Sequence, residues 1–174
     1  MTPHRIPANL SLSTRRLRLT PLTMADLAPF HAITAEPAVL AAVDFLSAPF
    51  SPADAQRLIR LGMGARDRFL AIRDRRTGTL MGAIGAHLHG RGALEIGYWL
   101  GGAFHGRGLA AEAASALAKR MARAYPGRRI VAECRPANRA SWRVLLRAGF
   151  RPAGVPGRRP GRRLLTLARR RPGR

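Results

Sequence analysis

The stretch from Leu94 to Glu112 reads LEIGYWLGGAFHGRGLAAE. Its apolar run, Leu94 to Leu100, leads into a glycine-rich turn, Gly101 to Gly108, and the turn opens into an Ala-rich helix. Strand, glycine turn and helix start together make an anion-binding arrangement. Glycines let the backbone approach a phosphate, and the first helical turn leaves N–H groups without intrahelical partners. The helix dipole adds about 0.3–1 kcal/mol for a negative charge at an exposed N-terminus. The same pattern also serves as a plain connector. Its spacing is not that of a P-loop, which needs Gly-x-x-x-x-Gly-Lys-Ser/Thr, because the turn holds no lysine. It matches a dinucleotide fingerprint only in part, since Gly106-Arg107-Gly108 is followed by Leu109, Ala110 and Ala111 late in the chain. The single cysteine, Cys134, lies in an apolar run and reads as a buried, inert thiol. One cysteine allows no intrachain disulfide.

The elements that must hold this turn follow from hydrophobic period and punctuation. A length of 174 residues with 47% apolar content fits one globular domain, residues 1–174. No apolar run is long enough to span a bilayer, and residues 1–14 lack a secretory apolar core, so a cytoplasmic protein without membrane attachment is expected. Residues 1–14 read as a loose arm. Arg16 to Leu22 alternates as a half-buried strand. Thr23 starts a helix with Asp26 at the capping-box position, Pro37 ends it, and a shorter helical stretch reaches Val43. Ser51-Pro52-Ala53-Asp54 is a second helix start. Arg68–Asp74, Thr79–Leu88 and Ala93–Leu100 read as an antiparallel meander, with Gly82 and Gly85 as bulge points. The helix after the glycine turn runs to about Tyr125. Arg129–Cys134 then forms a strand after a helix, implying a parallel crossover. Asn138 caps the next helix, Gly149 ends it, and Phe150 returns to strand. A last strand covers about Arg163 to Ala168, before a basic tail at residues 169–174.

The net charge is +22, of which +17 lies in residues 101–174. Such a balance suits RNA or another polyanion, with Arg158, Arg159, Arg162, Arg163 and Arg169 to Arg171 as the densest group. It equally suits a GC-rich coding composition, because Lys119 is the only lysine among abundant Ala, Gly, Pro and Arg.

The order is β-α-α-β-β-β-α-β-α-β-β. Three segments in that order resemble the GNAT superfamily of acyl-CoA N-acyltransferases, over about residues 14–170. They are Arg15-Arg16-Leu17-Arg18-Leu19 with Pro21-Leu22; Glu95-Ile96-Gly97-Tyr98-Trp99-Leu100 with His105-Gly106-Arg107-Gly108-Leu109-Ala110; and Asn138-Arg139-Ala140-Ser141-Trp142-Arg143-Val144-Leu145 ending Ala148-Gly149-Phe150. The phrasing is closest to the RimJ/RimL-like branch, which acetylates protein N-termini or small amines. The resemblance implies an α/β (α+β) fold with a mixed, mostly antiparallel sheet of about six to seven strands flanked by about four helices. It implies acetyl-CoA as cosubstrate, an amine-bearing acceptor and no metal. Oligomeric state is left open.

By that resemblance, Arg107 to Ala110 meet the coenzyme A pyrophosphate. The exposed backbone of Tyr98, Trp99 and Leu100 pairs with the pantetheine amides like an added strand. Asn138 meets the cofactor by its side chain, or is a plain helix cap. His105 stands where the family usually has Gln or Arg. Leu145 stands where a tyrosine often protonates the leaving thiolate, and Ser141 is the substitute implied. The acceptor amine must be neutral to attack, with a pKa of about 8 for an α-amino group and about 10.4 for a lysine. Glu95 is the acidic candidate for removing its proton, with His87 and His89 as the others. The competing possibility is a catalytically silent module of the same fold that binds RNA or ribosome.

Overall fold

The computed structural model describes residues 4–168. Eight strands form one sheet in the order β1-β2-β3-β4-β5-β6-β8-β7. They are β1 (Leu12–Ser13), β2 (Leu17–Pro21), β3 (Asp67–Asp74), β4 (Leu80–His89), β5 (Ala93–Leu100), β6 (Arg129–Cys134), β7 (Phe150–Pro156) and β8 (Arg163–Leu167). The helices are α1 (Leu27–Thr34), α2 (Pro37–Ala42), α3 (Pro52–Leu61), α4 (Leu109–Ala124) and α5 (Arg139–Arg147). Neighbouring strands run antiparallel except β5 and β6, which are parallel because α4 carries the chain back across the sheet. The mixed, mostly antiparallel architecture is as expected, with eight strands and five helices among the described residues. The element beyond expectation is β1; α2 is the short helical stretch expected before Val43, added to the four longer helices. Pro37 does end the first helix, but as the opening residue of α2, where a missing N–H leaves no bond unmade.

Local chemistry sets the helix starts. Ser51 and Asp54 cap α3 reciprocally, with Asp54 N–H donating to Ser51 Oγ at 3.1 Å and Ser51 N–H donating to Asp54 Oδ2 at 2.8 Å. Thr23 and Asp26 cap a 3₁₀ turn, Met24–Asp26, that leads into α1. Gly149, at φ +99°, closes α5.

Both faces of the sheet are covered, and strand parity divides the residues between them. In β3, Leu70 and Ile72 enter the core under α4 and α5, while Phe69 and Ala71 enter the core under α1 and α3. In β5, Leu94, Ile96 and Leu100 take the first side and Trp99 the second. Residues 4–14 are not a loose arm. Ile6 and Leu10 are buried, Ile6 N–H donates to Ala65 O at 2.7 Å, and the Tyr125 hydroxyl donates to Arg5 O at 2.6 Å. Two buried aliphatic side chains, at about 1.5–3 kcal/mol each, are enough to hold so short a segment. Residues 169–174, the basic tail, lie outside the described residues.

Candidate active site

The sheet parts at β5. This strand pairs with β6 only over Ala93–Glu95, opposite Arg129–Val131, and diverges beyond. Its other edge stays paired with β4 as far as Leu100. Gly101 N–H donates to Met81 O in the same register, so odd-numbered residues bond toward β4 and even-numbered ones face the β6 side. Beyond the parting, the N–H and C=O of Tyr98 and the N–H of Leu100 therefore aim into the gap. The Leu100 carbonyl has a partner, because His105 Nε2 donates to it at 2.9 Å. His105 thus fastens the glycine turn to the strand end.

The turn itself is a 3₁₀ segment, Gly102–Phe104, followed by two left-handed glycines, Gly106 (φ +72°) and Gly108 (φ +73°). Gly108 is the N-cap of α4 and supplies no capping side chain. Glu112 N–H is the first to find a helical carbonyl, that of Gly108. The N–H groups of Leu109, Ala110 and Ala111 are left without helical partners. Glu112 is the acid in the first turn, and it faces away from them. Its carboxylate accepts from Thr14 Oγ1 (2.5 Å), Arg16 N (2.9 Å) and Arg16 Nε (2.7 Å). Burial would raise the Glu112 pKa, but those hydrogen bonds and the Arg16 charge outweigh it and hold the carboxyl below its ordinary range. Arg16 Nη1 also donates to Arg107 O at 2.9 Å, bracing the turn from outside. The exposed Arg107 side chain belongs to a shallow basic recess with Arg15, Arg16, Arg75 and Arg76.

Across the gap stands α5. Asn138 Oδ1 accepts from Ser141 N–H at 3.0 Å, capping the helix. Ser141 Oγ lies 2.9 Å from the Tyr98 hydroxyl. Burial pushes the Tyr98 phenol up, opposed by the Ser141 hydrogen bond, so it stays a protonated donor. Cys134 is buried at the end of β6 and its thiol is pushed up by burial, with Sγ donating to Arg135 O at 3.3 Å. Leu145 is fully buried and offers no polar group.

The other end of the gap is a charged cluster. Buried Glu95 accepts from His89 Nε2 on Oε2 at 2.8 Å and pairs with Arg159 through Oε1. Arg159 Nε lies 3.4 Å from Glu133 Oε2. Glu133, also buried, accepts from the backbone N–H groups of Arg158 (2.5 Å) and Arg159 (3.2 Å) and so anchors the β7–β8 connection. His87 Nδ1 is 2.8 Å from Asp67 Oδ1. The His87 hydrogen bond is the main cause that holds the Asp67 carboxyl low. Arg135 and Arg162 both pair with Asp44. Two of the arginines named for a polyanion, Arg159 and Arg162, are therefore engaged by carboxylates; Arg169 to Arg171 lie outside the described residues.

One cavity of about 660 Å³ joins the two ends. It threads the parting between β5 and β6, from the α4–α5 face of the sheet to the α1–α3 face. Glu95, Tyr98, Trp99, Leu100, His105, Gly106, Gly108, Leu109, Ala110, Asn138 and Ser141 line it, and Arg107 does not. On the α1–α3 side its wall is apolar, with Val39, Val43, Phe45, Leu61 and Phe69. Trp99 is fixed there by a buried hydrogen bond from Nε1 to Thr34 Oγ1 at 3.1 Å. Neither residue type nor spacing marked Arg159 or Glu133 as parts of this site, nor the Tyr98 side chain, whose hydroxyl meets Ser141. Among the described residues no group of three or more His, Cys, Asp or Glu is placed to hold a metal ion. Among the same residues no helix is long and apolar enough to cross a membrane.

A splayed strand edge beside a glycine turn and three unpartnered helical N–H groups fits a ligand with amides and a pyrophosphate, as in coenzyme A. The family model of the acetyltransferase (GNAT) domain matches residues 16–151. The chain belongs to that family: it is a GNAT acetyltransferase, and acetyl-CoA is its cosubstrate. No curated protein sequence matches it. Among solved structures it is similar to a GNAT-family acetyltransferase from Bacillus anthracis, with 23% identity, 91% of this chain and 98% of that one covered, and a TM-score of 0.80. An acetyltransferase from Agrobacterium tumefaciens shares 27% identity over 92% of this chain and 95% of that one, with a TM-score of 0.75. The ribosomal-protein-S5-alanine acetyltransferase from Vibrio fischeri has 20% identity, coverage of 91% and 95%, and a TM-score of 0.73.

Proposed function

We propose that the enzyme moves the acetyl group directly from acetyl-CoA to a primary amine, a protein N-terminus or a small amine, with both substrates bound at once. The observation that carries this reading is the single cavity linking the phosphate-suited turn to the charged cluster. Two further features support it. Cys134, the one thiol, is buried with a raised pKa, which argues against an acetyl-cysteine intermediate. Four of the nine acids, Asp44, Asp67, Glu95 and Glu133, gather at the far end of the cavity, in a chain of net charge +22. Such a cluster suits an arriving ammonium. The likeness to a ribosomal-protein-S5-alanine acetyltransferase supports a protein as one acceptor class.

In this reading the N–H groups of the first turn of α4 hold the pyrophosphate, within Gly106, Arg107, Gly108, Leu109 and Ala110. The Tyr98–Leu100 edge pairs with the pantetheine arm, and His105 and Asn138 shape its walls. Ser141, bonded to Tyr98, gives the departing thiolate its proton. Glu95 serves the deprotonation of the amine. Alignment of the two substrates supplies much of the rate, up to about 7–11 kcal/mol of the barrier.

Thiol release from acetyl-CoA tests this across a panel of N-terminal peptides and aminoglycosides. Intersecting double-reciprocal lines are expected when both substrates are varied. Parallel lines would mean an acetyl-enzyme, and direct transfer would be wrong.

A further inference from the structure

Resting on the amine-acetylation reading above, we propose that His89, oriented by Glu95, takes the proton from the acceptor ammonium. Glu95 is the acid nearest that task, yet both of its oxygens are engaged. Oε1 faces the Arg159 guanidinium, and Oε2 accepts from His89. Protonating this carboxylate would leave a partly buried guanidinium with one counter-charge fewer, which is unfavourable. His89 has no such obstacle. An ionised carboxylate can only accept, so the His89 nitrogen facing it carries the hydrogen. That fixes hydrogen on Nε2 and leaves the lone pair on Nδ1. Among the described residues Nδ1 has no hydrogen-bond partner, and it is not shut off from solvent.

Strand register explains how these groups meet. His87 lies opposite both Asp67 on β3 and Glu95 on β5, and His89 follows two residues on, on the same face. Gly85, two residues before His87, leaves the room that its ring occupies; a Cβ there would strike His87 Nε2. His89 lines the cavity with its side chain 28% exposed, so it is reached both by a substrate and by solvent.

The groups facing the ring are Glu95 on β5, His87 on its own strand, Asp67 on β3, and Arg158 and Arg159 from the β7–β8 connection. Burial acts first to lower the His89 pKa, and Arg158, His87 and Arg159 add to it, while Asp67 opposes. The ring is therefore neutral near pH 7, the form a base requires. In the reaction Nδ1 accepts a proton from the ammonium, giving an imidazolium whose Nε2–H already points at Glu95. The freed lone pair forms the C–N bond at the thioester carbonyl, and the adduct loses its second amine proton to solvent. The C–S bond breaks, and sulfur takes a proton from Ser141, which solvent replaces. His89 returns its proton to solvent along its exposed edge, for a net release of one proton.

Two measurements test this. In protein with ¹⁵N-labelled histidine, the His89 ring is expected as the Nε2–H form with Nδ1 bare; hydrogen on Nδ1 instead overturns the inference. In the second, thiol release is followed with two acceptors: a synthetic peptide with a free N-terminal serine, and methoxyamine, which is already neutral at pH 7. His89→Gln is expected to lower kcat/KM for the peptide by about 10²–10⁴-fold, with acetyl-CoA affinity kept. Added imidazole restores part of the His89→Gln loss, and methoxyamine turnover changes little. Equal losses with both acceptors mean a structural role, and an unchanged rate with the peptide over about pH 6 to 9 means no role. A wild type that transfers to neither acceptor instead removes the amine reading, and the inference falls with it.

Discussion

Gly108→Glu is the most direct test of how the turn holds acetyl-CoA. Gly108 sits at φ +73°, where a residue with a Cβ costs about 1–2 kcal/mol. For a chain of this length that lowers Tm by about 2–4 °C per kcal/mol. Space is not the obstacle to folding, since a Cβ there meets only Arg16 Nη2, at an ordinary 3.6 Å. The variant should therefore fold, a few degrees less stable. Binding is another matter. The N–H groups of Leu109, Ala110 and Ala111 are the unpartnered donors, and a hydrogen bond to a charged group is worth about 1.5–3 kcal/mol. A glutamate at the cap adds a negative charge at those donors and competes for them. Losing two such bonds costs about 3–6 kcal/mol, or roughly 10²–10⁴ in Kd. Arg107→Ala removes an exposed guanidinium outside the cavity and should cost under about 1 kcal/mol. Calorimetric titration of acetyl-CoA into wild type and both variants, with circular dichroism as the folding control, reads these values. Equal affinity for all three proteins would show that the turn is only a connector, and the phosphate assignment would be wrong.

Ser141→Ala should lower kcat by about 10²–10⁴ with acetyl-CoA affinity retained, and Tyr98→Phe should lower it by less because the serine remains; near-normal turnover in both excludes this pair as thiolate acid. Glu112 has a depressed pKa, so its stabilisation is present above the unfolded value of about 4.3 and disappears as pH falls through the folded value. The Tm gap between wild type and Glu112→Gln should therefore be widest near pH 7 and close toward about pH 2, and a gap constant with pH would refute the linkage. Trp99→Phe leaves the fully buried Thr34 hydroxyl without its donor and should cost about 1–3 kcal/mol, whereas Trp99→Phe with Thr34→Val should cost less than the two single changes together. Denaturant unfolding of the four proteins measures that coupling.

What the sequence made legible was chemistry that closes over a few residues. The Ser51–Asp54 and Thr23–Asp26 caps, the Asn138 cap and the glycine at the end of α5 all depend on neighbours within a turn, so residue type and spacing specify them. The glycine turn was legible for the same reason. Pairings set by register and by distant loops were not. Arg159 reaches Glu95 across 64 positions, and its charge was hidden within a general arginine excess. Gly82 and Gly85 both read as bulge points, yet the register slips only beside Gly82, and Gly85 instead makes room for the His87 ring. The Tyr98 hydroxyl went unread because strand parity assigns it a face, whereas its meeting with Ser141 depends on where α5 is packed.

The charge distribution makes a final prediction whose sign differs between the two substrates. A chain of net charge +22 attracts acetyl-CoA, a polyanion, and repels a cationic amine. The amine end offsets this only locally: Asp44, Asp67, Glu95 and Glu133 stand against Arg135, Arg159 and Arg162. Beyond about 8–10 Å these few charges are screened at physiological ionic strength, so an approaching amine meets mainly the basic surface. Added salt weakens both long-range terms. The KM for acetyl-CoA should therefore rise with salt, while the KM for a cationic peptide amine falls or stays level. A neutral acceptor such as methoxyamine should show no salt dependence of its own KM, which separates screening of charge from any general effect of salt on the fold. Steady-state kinetics at about 20 and 200 mM salt, within the range where the screening length changes most, measure all three. If the KM values for acetyl-CoA and for the cationic amine rise together, the acidic cluster and not the basic surface governs the amine's approach.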